Sequence, residues 1–237
     1  MVHTSPLDQP GAGDAGGMNI YVVESAERMA AMGVSVDIFT RRHNPDLPDI
    51  VELSPGVRVR HLNIGACSAT KEELPALIPN LSDAFSAVLE KEKYDVIHSH
   101  YWISGKVAMP AAEKLGIPLI HTMHTMARVK NLNLAEGEMP EPMIRVQGET
   151  QVVAAATGLI ANTDAEAASL VSLYSACPDN VHVVSPGVDL YTFTPGAGRA
   201  AARDVVGLPQ DALVITFVGR IQPHKGPELL IRATSEM

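Results

Sequence analysis

Short apolar segments alternate with helix-patterned segments from Met18 to Val184, and that alternation restricts the fold more than any other feature of the sequence. Val34–Thr40 (VSVDIFT), Val57–Leu62 (VRVRHL), Asp95–Ser99 (DVIHS), Ile117–Thr122 (IPLIHT), Gly158–Asn162 (GLIAN) and Val181–Val184 read as strands. Between them, Met18–Met32 puts Met18, Val22, Met29 and Ala30 on one face, with Gly33 suited to close the helix. Glu72–Glu92 is mostly helical, with Pro75 and Pro79 delaying its start, and Ser104–Leu115 and Glu141–Ala156 follow, the latter opened by Pro142. Thr163-Asp164-Ala165-Glu166 is a capping box for the next helix. Strands separated by helices cannot close tight hairpins, so the pattern predicts a parallel sheet covered on both faces. Six such strands before Ser185 suffice for a doubly wound, Rossmann-like domain of the α/β class.

The pattern breaks at Pro186-Gly187, and turn residues run on to Pro195-Gly196. Residues 1–185 therefore read as one domain, and residues 186–237 as a linker and the opening of a second. That second unit is expected to contain a helix at Arg199–Val206, a strand at Ala212–Val218 and a helix from Pro227. One strand and one following helix cannot bury a core. The second domain is thus expected to be incomplete. The first is expected to lack most of its opening strand, of which Met1 and Val2 are the remnant. At about 150 residues per domain, 237 residues make roughly one and a half.

Charge and composition narrow the partners. Residues 1–185 carry 13 basic and 22 acidic side chains, and residues 186–237 carry 5 of each, so the whole net charge of −9 lies in the first part. Neither part has the basic excess of a nucleic-acid binder, and 4% aromatic residues do not make a stacking platform. No apolar run approaches the roughly 20 residues of a membrane span. Met1–Pro10 has neither the basic flank nor the apolar stretch of a secretory signal. Two cysteines, Cys67 and Cys177, suit reduced thiols of a cytoplasmic protein better than a disulfide framework.

Ligands of open α/β sheets bind beyond the carboxyl ends of strands. The first candidate loop there runs from His3 to Asn19, where Gly16 and Gly17 allow backbone amides close to a polar ligand at a helix N-terminus. Gly11, Gly13 and Gly16 also fit the G-x-G-x-x-G spacing of a dinucleotide site, with Asp37 as the acidic partner, but no strand directly precedes them. The next two loops hold His98, His100, His121 and His124. Without an Asp or Glu at ligand spacing, these histidines suit a polar substrate pocket better than a metal. Tyr101, Thr125 and Arg145 can offer two hydroxyls and a guanidinium, a set suited to a phosphate monoester. Arg145 also stands four residues from both Glu141 and Glu149, and spacing alone leaves helix-surface pairing equally open. In the fourth loop Arg220 and Lys225 flank a helix N-terminus, a second anion site.

Val218–Glu228 (VGRIQPHKGPE) resembles the donor-diphosphate loop of retaining nucleotide-sugar glycosyltransferases with two Rossmann-like domains, the GT-B architecture. Val184–Pro195 (VSPGVDLYTFTP) is similar to their interdomain segment, with Pro186 replacing an Asn. HTSPLDQPGAGDAGGMN, SHYWISG and HTMHTMARVKN narrow the resemblance to members that pass N-acetylglucosamine from UDP-N-acetylglucosamine to 1D-myo-inositol 3-phosphate, the first step of mycothiol synthesis. The resemblance implies that His3, Asp14, Ala15, Gly16, Gly17, Met18 and Asn19 face the inositol, and that Lys71, Tyr101, Thr125 and Arg145 hold its phosphate. It implies donor contacts from Gln9, Pro10, Gly17, Arg220 and Lys225. It sets His124 beside the reacting centre, with Arg220 and Lys225 neutralising the departing diphosphate. The leaving phosphate oxygen takes the acceptor proton in that family, so the chemistry requires no cofactor and no metal ligand is expected here. Any Mg2+ site, like the paired glutamates of the donor pocket, would fall beyond Met237. A homodimer at full length is implied as well. The chain as given is expected to have little or no transferase activity. The alternatives are a related glycosyltransferase with another acceptor, such as a sugar phosphate, and a dinucleotide-binding Rossmann protein.

Overall fold

A computed structural model describes residues 1–11, 15–135, 137–219, 221 and 225–236. The chain divides into two compact units, residues 1–134 with 138–185, and residues 135–137 with 186–237.

In the first unit, α1 (Gly17–Ala31) leads into β1 (Val36–Arg41), β2 (Ile50–Ser54), β3 (Val57–Leu62) and α2 (Leu74–Leu89). The chain continues through β4 (Ile97–His100), α3 (Trp102–Leu115), β5 (Leu119–Thr122), α4 (Ala127–Leu132) and α5 (Met143–Ala155). It ends with β6 (Gly158–Ala161), α6 (Asp164–Tyr174) and β7 (Val181–Val183). The alternation is therefore real, but it builds two sheets where one was expected. β4-β5-β6-β7 is parallel throughout, whereas the other sheet runs β1-β3-β2, with β2 antiparallel to β3. β2 escapes the sequence reading because it follows a stretch broken by Pro45 and Pro48 and carries a register shift between Glu52 and Ser54. Its turn depends on Gly56, whose φ of +81° disfavours any other residue.

β1 and β4 are the facing edges of the two sheets, and a cavity of about 180 Å³ lies between them, lined by Val22, Phe39, Ile97 and Val107 among others. Met1 and Val2 enter it: the Met1 nitrogen donates to the Phe39 carbonyl at 2.7 Å, and the Val2 N–H donates to Ser104 Oγ at 3.1 Å. One apolar core joins α2 and α3 through Leu81, Phe85, Ile103, Val107 and Leu119. A second gathers Met123, Leu159, Leu170 and Tyr174 beneath α6. The close approach of α3 and α5 rests on two glycines. A Cβ on Gly105 would stand 2.6 Å from Val152 Cγ1, and one on Gly148 would stand 2.6 Å from the Trp102 ring.

The second unit contains α7 (Arg199–Val206) and α8 (Pro227–Ser235). Ala212–Val218 forms no strand and joins no sheet among the described residues, which corrects the expected strand. Apolar content marks a segment that could be buried, but a strand also needs a hydrogen-bonded neighbour. Arg203 organises this unit locally, donating to the carbonyls of Pro209, Gln210 and Ala212 at 2.5–2.9 Å. Among the described residues, no helix is long and apolar enough to cross a membrane.

Candidate functional site

β4 and β5 are parallel neighbours in register from Ile97↔Leu119 to His100↔Thr122, so their carboxyl ends open side by side. Just beyond those ends, Tyr101 and His124 both have positive φ, +70° and +60°. The left-handed region costs a non-glycine residue about 1–2 kcal/mol. The hydrogen bond from the Tyr101 N–H to the Thr122 carbonyl, at 3.0 Å, ties the first of these turns to the neighbouring strand.

Arg145 reaches these turns from α5 and uses all three guanidinium nitrogens. Its Nε donates to Glu149 Oε1 at 2.7 Å, one terminal nitrogen pairs with Glu141 at 2.8 Å, and the other donates to Thr125 Oγ1 at 2.9 Å. Both carboxylates expected from the helical spacing are therefore partners, and so is a third group that spacing could not reveal. The guanidinium carbon lies 5.0 Å from the centre of the Tyr101 ring, and the Lys71 ammonium lies 5.2 Å from it. The His3 ring packs on Tyr101 with centroids 4.4 Å apart. His3, Lys71, Tyr101, Thr125 and Arg145 are thus one connected group, although loops and elements far apart in the sequence supply them. Burial opposes the Arg145 charge, but Tyr101, Glu149 and Glu141 outweigh it and raise its pKa above the ordinary arginine value.

Beside this group the histidines stack. The His98 and His100 rings are 4.1 Å apart, and His100 Nδ1 lies 2.9 Å from His124 Nε2, a hydrogen bond between neutral rings. Tyr21 of α1 meets the His124 ring edge-on at 5.1 Å. Burial pushes His124 down to about 4, with His98 adding to the effect. At neutral pH the imidazole is therefore an uncharged hydrogen-bonding group. His121 is fully buried against Ser99 Oγ at 2.7 Å and belongs to the packing. Among the described residues, no three His, Cys, Asp or Glu side chains are arranged to hold a metal.

The N-terminal loop is held from within. Asn19 is buried, its amide donates to Thr4 Oγ1 at 3.0 Å and to the Ser5 carbonyl at 2.6 Å, and its Oδ1 accepts from the Gly16 N–H at 3.1 Å. Its side chain positions the loop, while Gly17, Gln9 and Pro10 are exposed. Ala15 is buried, and Gly16 and Met18 are half-buried around the start of α1. Asp14 and Arg220 lie outside the described residues. Lys225 is exposed in the second unit. Sequence reading missed Tyr21, which does not stand at a strand end. Asp37, the acidic partner of the dinucleotide reading, is taken. Arg58 and Arg60 bind it at 2.7 and 2.6 Å, and the Tyr94 hydroxyl donates to it at 2.6 Å. Its carboxylate is a structural ion-pair centre and is closed to a ribose.

Residues 16–187 match the model of the glycosyl transferase 4-like domain, most of the chain. The chain belongs to this glycosyltransferase family. Among its relatives are D-inositol 3-phosphate glycosyltransferases of Thermobispora bispora, 57% identical over 240 residues, and Kribbella flavida, 56% identical. Each match covers 100% of this chain and 56% of the relative, so the chain spans about half the length of these curated relatives. Among solved structures, sucrose-phosphate synthase from Thermosynechococcus elongatus matches with a TM-score of 0.90 and 32% identity, covering 100% of this chain and 58% of that one. Anabaena HepE, in complex with UDP and glucose, shares the fold at a TM-score of 0.63 and 15% identity. The fold of this glycosyltransferase chain is α/β of the GT-B type, as the resemblance implied.

Proposed function

We propose that this chain carries the acceptor side of a retaining glycosyltransferase that moves N-acetylglucosamine from UDP-N-acetylglucosamine to 1D-myo-inositol 3-phosphate, the first step of mycothiol synthesis. The observation that carries this reading is the meeting of Arg145 and Lys71 at the Tyr101 ring, with Arg145 also bonded to Thr125, at the β4 and β5 ends. Two cations and two hydroxyls suit a phosphate monoester, and they sit in a unit whose overall balance is acidic. Such a site rejects plain inositol, because a buried cation built for a dianion is then less well paired.

In the transfer, the acceptor hydroxyl oxygen bonds to the anomeric carbon on the face from which the diphosphate departs. The carbon–oxygen bond to the diphosphate breaks, and the hydroxyl proton passes to the leaving phosphate oxygen. His124, neutral and half-buried just beyond β5, would hydrogen-bond the donor sugar through the ring nitrogen that His100 does not occupy. Arg220 and Lys225 would stabilise the negative charge that builds on the leaving diphosphate, each such contact contributing about 2.7–4 kcal/mol in the transition state.

Calorimetry on this chain tests the acceptor reading. Inositol 3-phosphate should bind, plain inositol should bind far more weakly, and Arg145→Ala should erase the difference. An unchanged preference in that variant would sink the reading. A sugar phosphate as acceptor is the second reading, favoured by the likeness to sucrose-phosphate synthase, and an acceptor screen separates the two. In a coupled UDP-release assay this chain alone should show little or no turnover, because its second unit pairs no strand among the described residues.

A further inference from the structure

Arg145 already carries an anion at the place where a ligand phosphate would bind. Of its donors, Nε is held by Glu149, which has no exposed side-chain surface, and one terminal nitrogen is held by Thr125. The remaining terminal nitrogen pairs with Glu141 Oε2 at 2.8 Å. Glu141 differs from Glu149 in two respects. Its side chain is 18% exposed, so solvent reaches it, and its other oxygen contacts the Lys130 ammonium. Its backbone is fixed to α4, since the Glu141 N–H donates to Asn131 Oδ1 at 2.7 Å and its carbonyl accepts from Asn131 Nδ2 at 3.5 Å.

We propose that Glu141 is an internal stand-in for the acceptor phosphate, paired with Arg145 before a phosphate monoester arrives and released onto Lys130 when it does. The proposal rests on reading Arg145 as a phosphate-holding residue. With neither Glu141 nor a phosphate beside it, the buried guanidinium would be short of one partner, which is costly. A carboxylate has one negative charge and two oxygens. A phosphate monoester has about −1.5 to −2 and three acceptor oxygens, so it outbids the carboxylate for the same nitrogen. A weaker anion or a neutral hydroxyl does not. Release leaves no stranded charge, because Lys130 keeps its contact with Glu141. Glu149 cannot exchange in this way, being wholly buried and also bound to the Ala127 N–H and the Tyr174 hydroxyl. Glu141 is thereby a specificity-determining residue: it sets a threshold of charge that a ligand must exceed.

The test is calorimetric titration of the chain with inositol 3-phosphate. Glu141→Gln keeps the side-chain length and removes the competing charge. It should tighten binding by about fivefold to tenfold, the scale of one ordinary hydrogen bond that no longer competes. Lys130→Ala should weaken binding, because Glu141 then has Arg145 as its sole cationic partner. A purely structural role for Glu141 moves the first variant the other way. Unchanged or weaker binding by a Glu141→Gln chain that melts like the parent overturns the proposal, and so does unchanged or tighter binding by Lys130→Ala. If Glu141→Gln does not fold, the lysine variant decides. Arg145→Ala separates the two levels: wild-type affinity in that variant overturns the parent reading and this one together. Lost affinity there, with no tightening in Glu141→Gln, overturns this one alone.

Discussion

Glu149 holds the site together at a single point. Its carboxylate has no exposed surface and is shared by Arg145 Nε, the Ala127 N–H at the start of α4 and the Tyr174 hydroxyl of α6. Breaking a buried pair by removing one partner leaves the other charge uncompensated and costs about 3–5 kcal/mol. Glu149→Ala should lose that much in urea unfolding, and Glu149→Gln, which keeps acceptor and volume, should lose less. Equal losses would mean that the charge is immaterial. The pairing of Arg145 with Glu149 was legible in the sequence as an i, i+4 spacing, and so was Arg145 itself as a phosphate candidate. The Thr125 bond was not, because it joins the loop after β5 to α5 and exists only once the two have packed. Tyr21 was hidden for the same reason: it sits inside α1, and only the fold turns it toward His124.

Elements were legible where periodicity and pairing agree. β3 and α7 occupy the residues that the pattern predicts, and the helix and strand ends elsewhere shift by a few residues. β2 was missed because proline and a bulge mask a strand whose partner is its own hairpin neighbour, and Ala212–Val218 was over-read because apolarity alone does not supply a partner. The joint between α3 and α5 was invisible, yet it aims Arg145. An added Cβ on Gly105 meets Val152 at 2.6 Å and His121 at 3.1 Å, and both neighbours are fully buried. Gly105→Ala gains about 1 kcal/mol of helix propensity. It loses about 1–3 kcal/mol to overpacking. The clash should win, so the variant is expected to melt below the parent. A higher melting temperature would show that α3 and α5 separate freely.

Across the whole molecule, the buried histidines couple stability to pH. Burial holds His98 at about 4, His121 at about 3 and His124 at about 4, against an ordinary value of 6.5. The unfolded chain binds these protons first as pH falls. The stabilisation is therefore complete above about 6.5 and is lost as pH falls towards about 4. The melting temperature should drop steeply from pH 7 to pH 4, and a flat profile to pH 5 would contradict the burial of neutral rings. The same strand ends hold Tyr101 and His124 in backbone conformations natural to glycine. Glycine at Tyr101 would relieve about 1–3 kcal/mol of backbone strain. It would also remove a ring that is only 5% exposed, a loss of about 3–5 kcal/mol. The packed ring therefore holds its own strained turn in place, and backbone and side chain there stand or fall together.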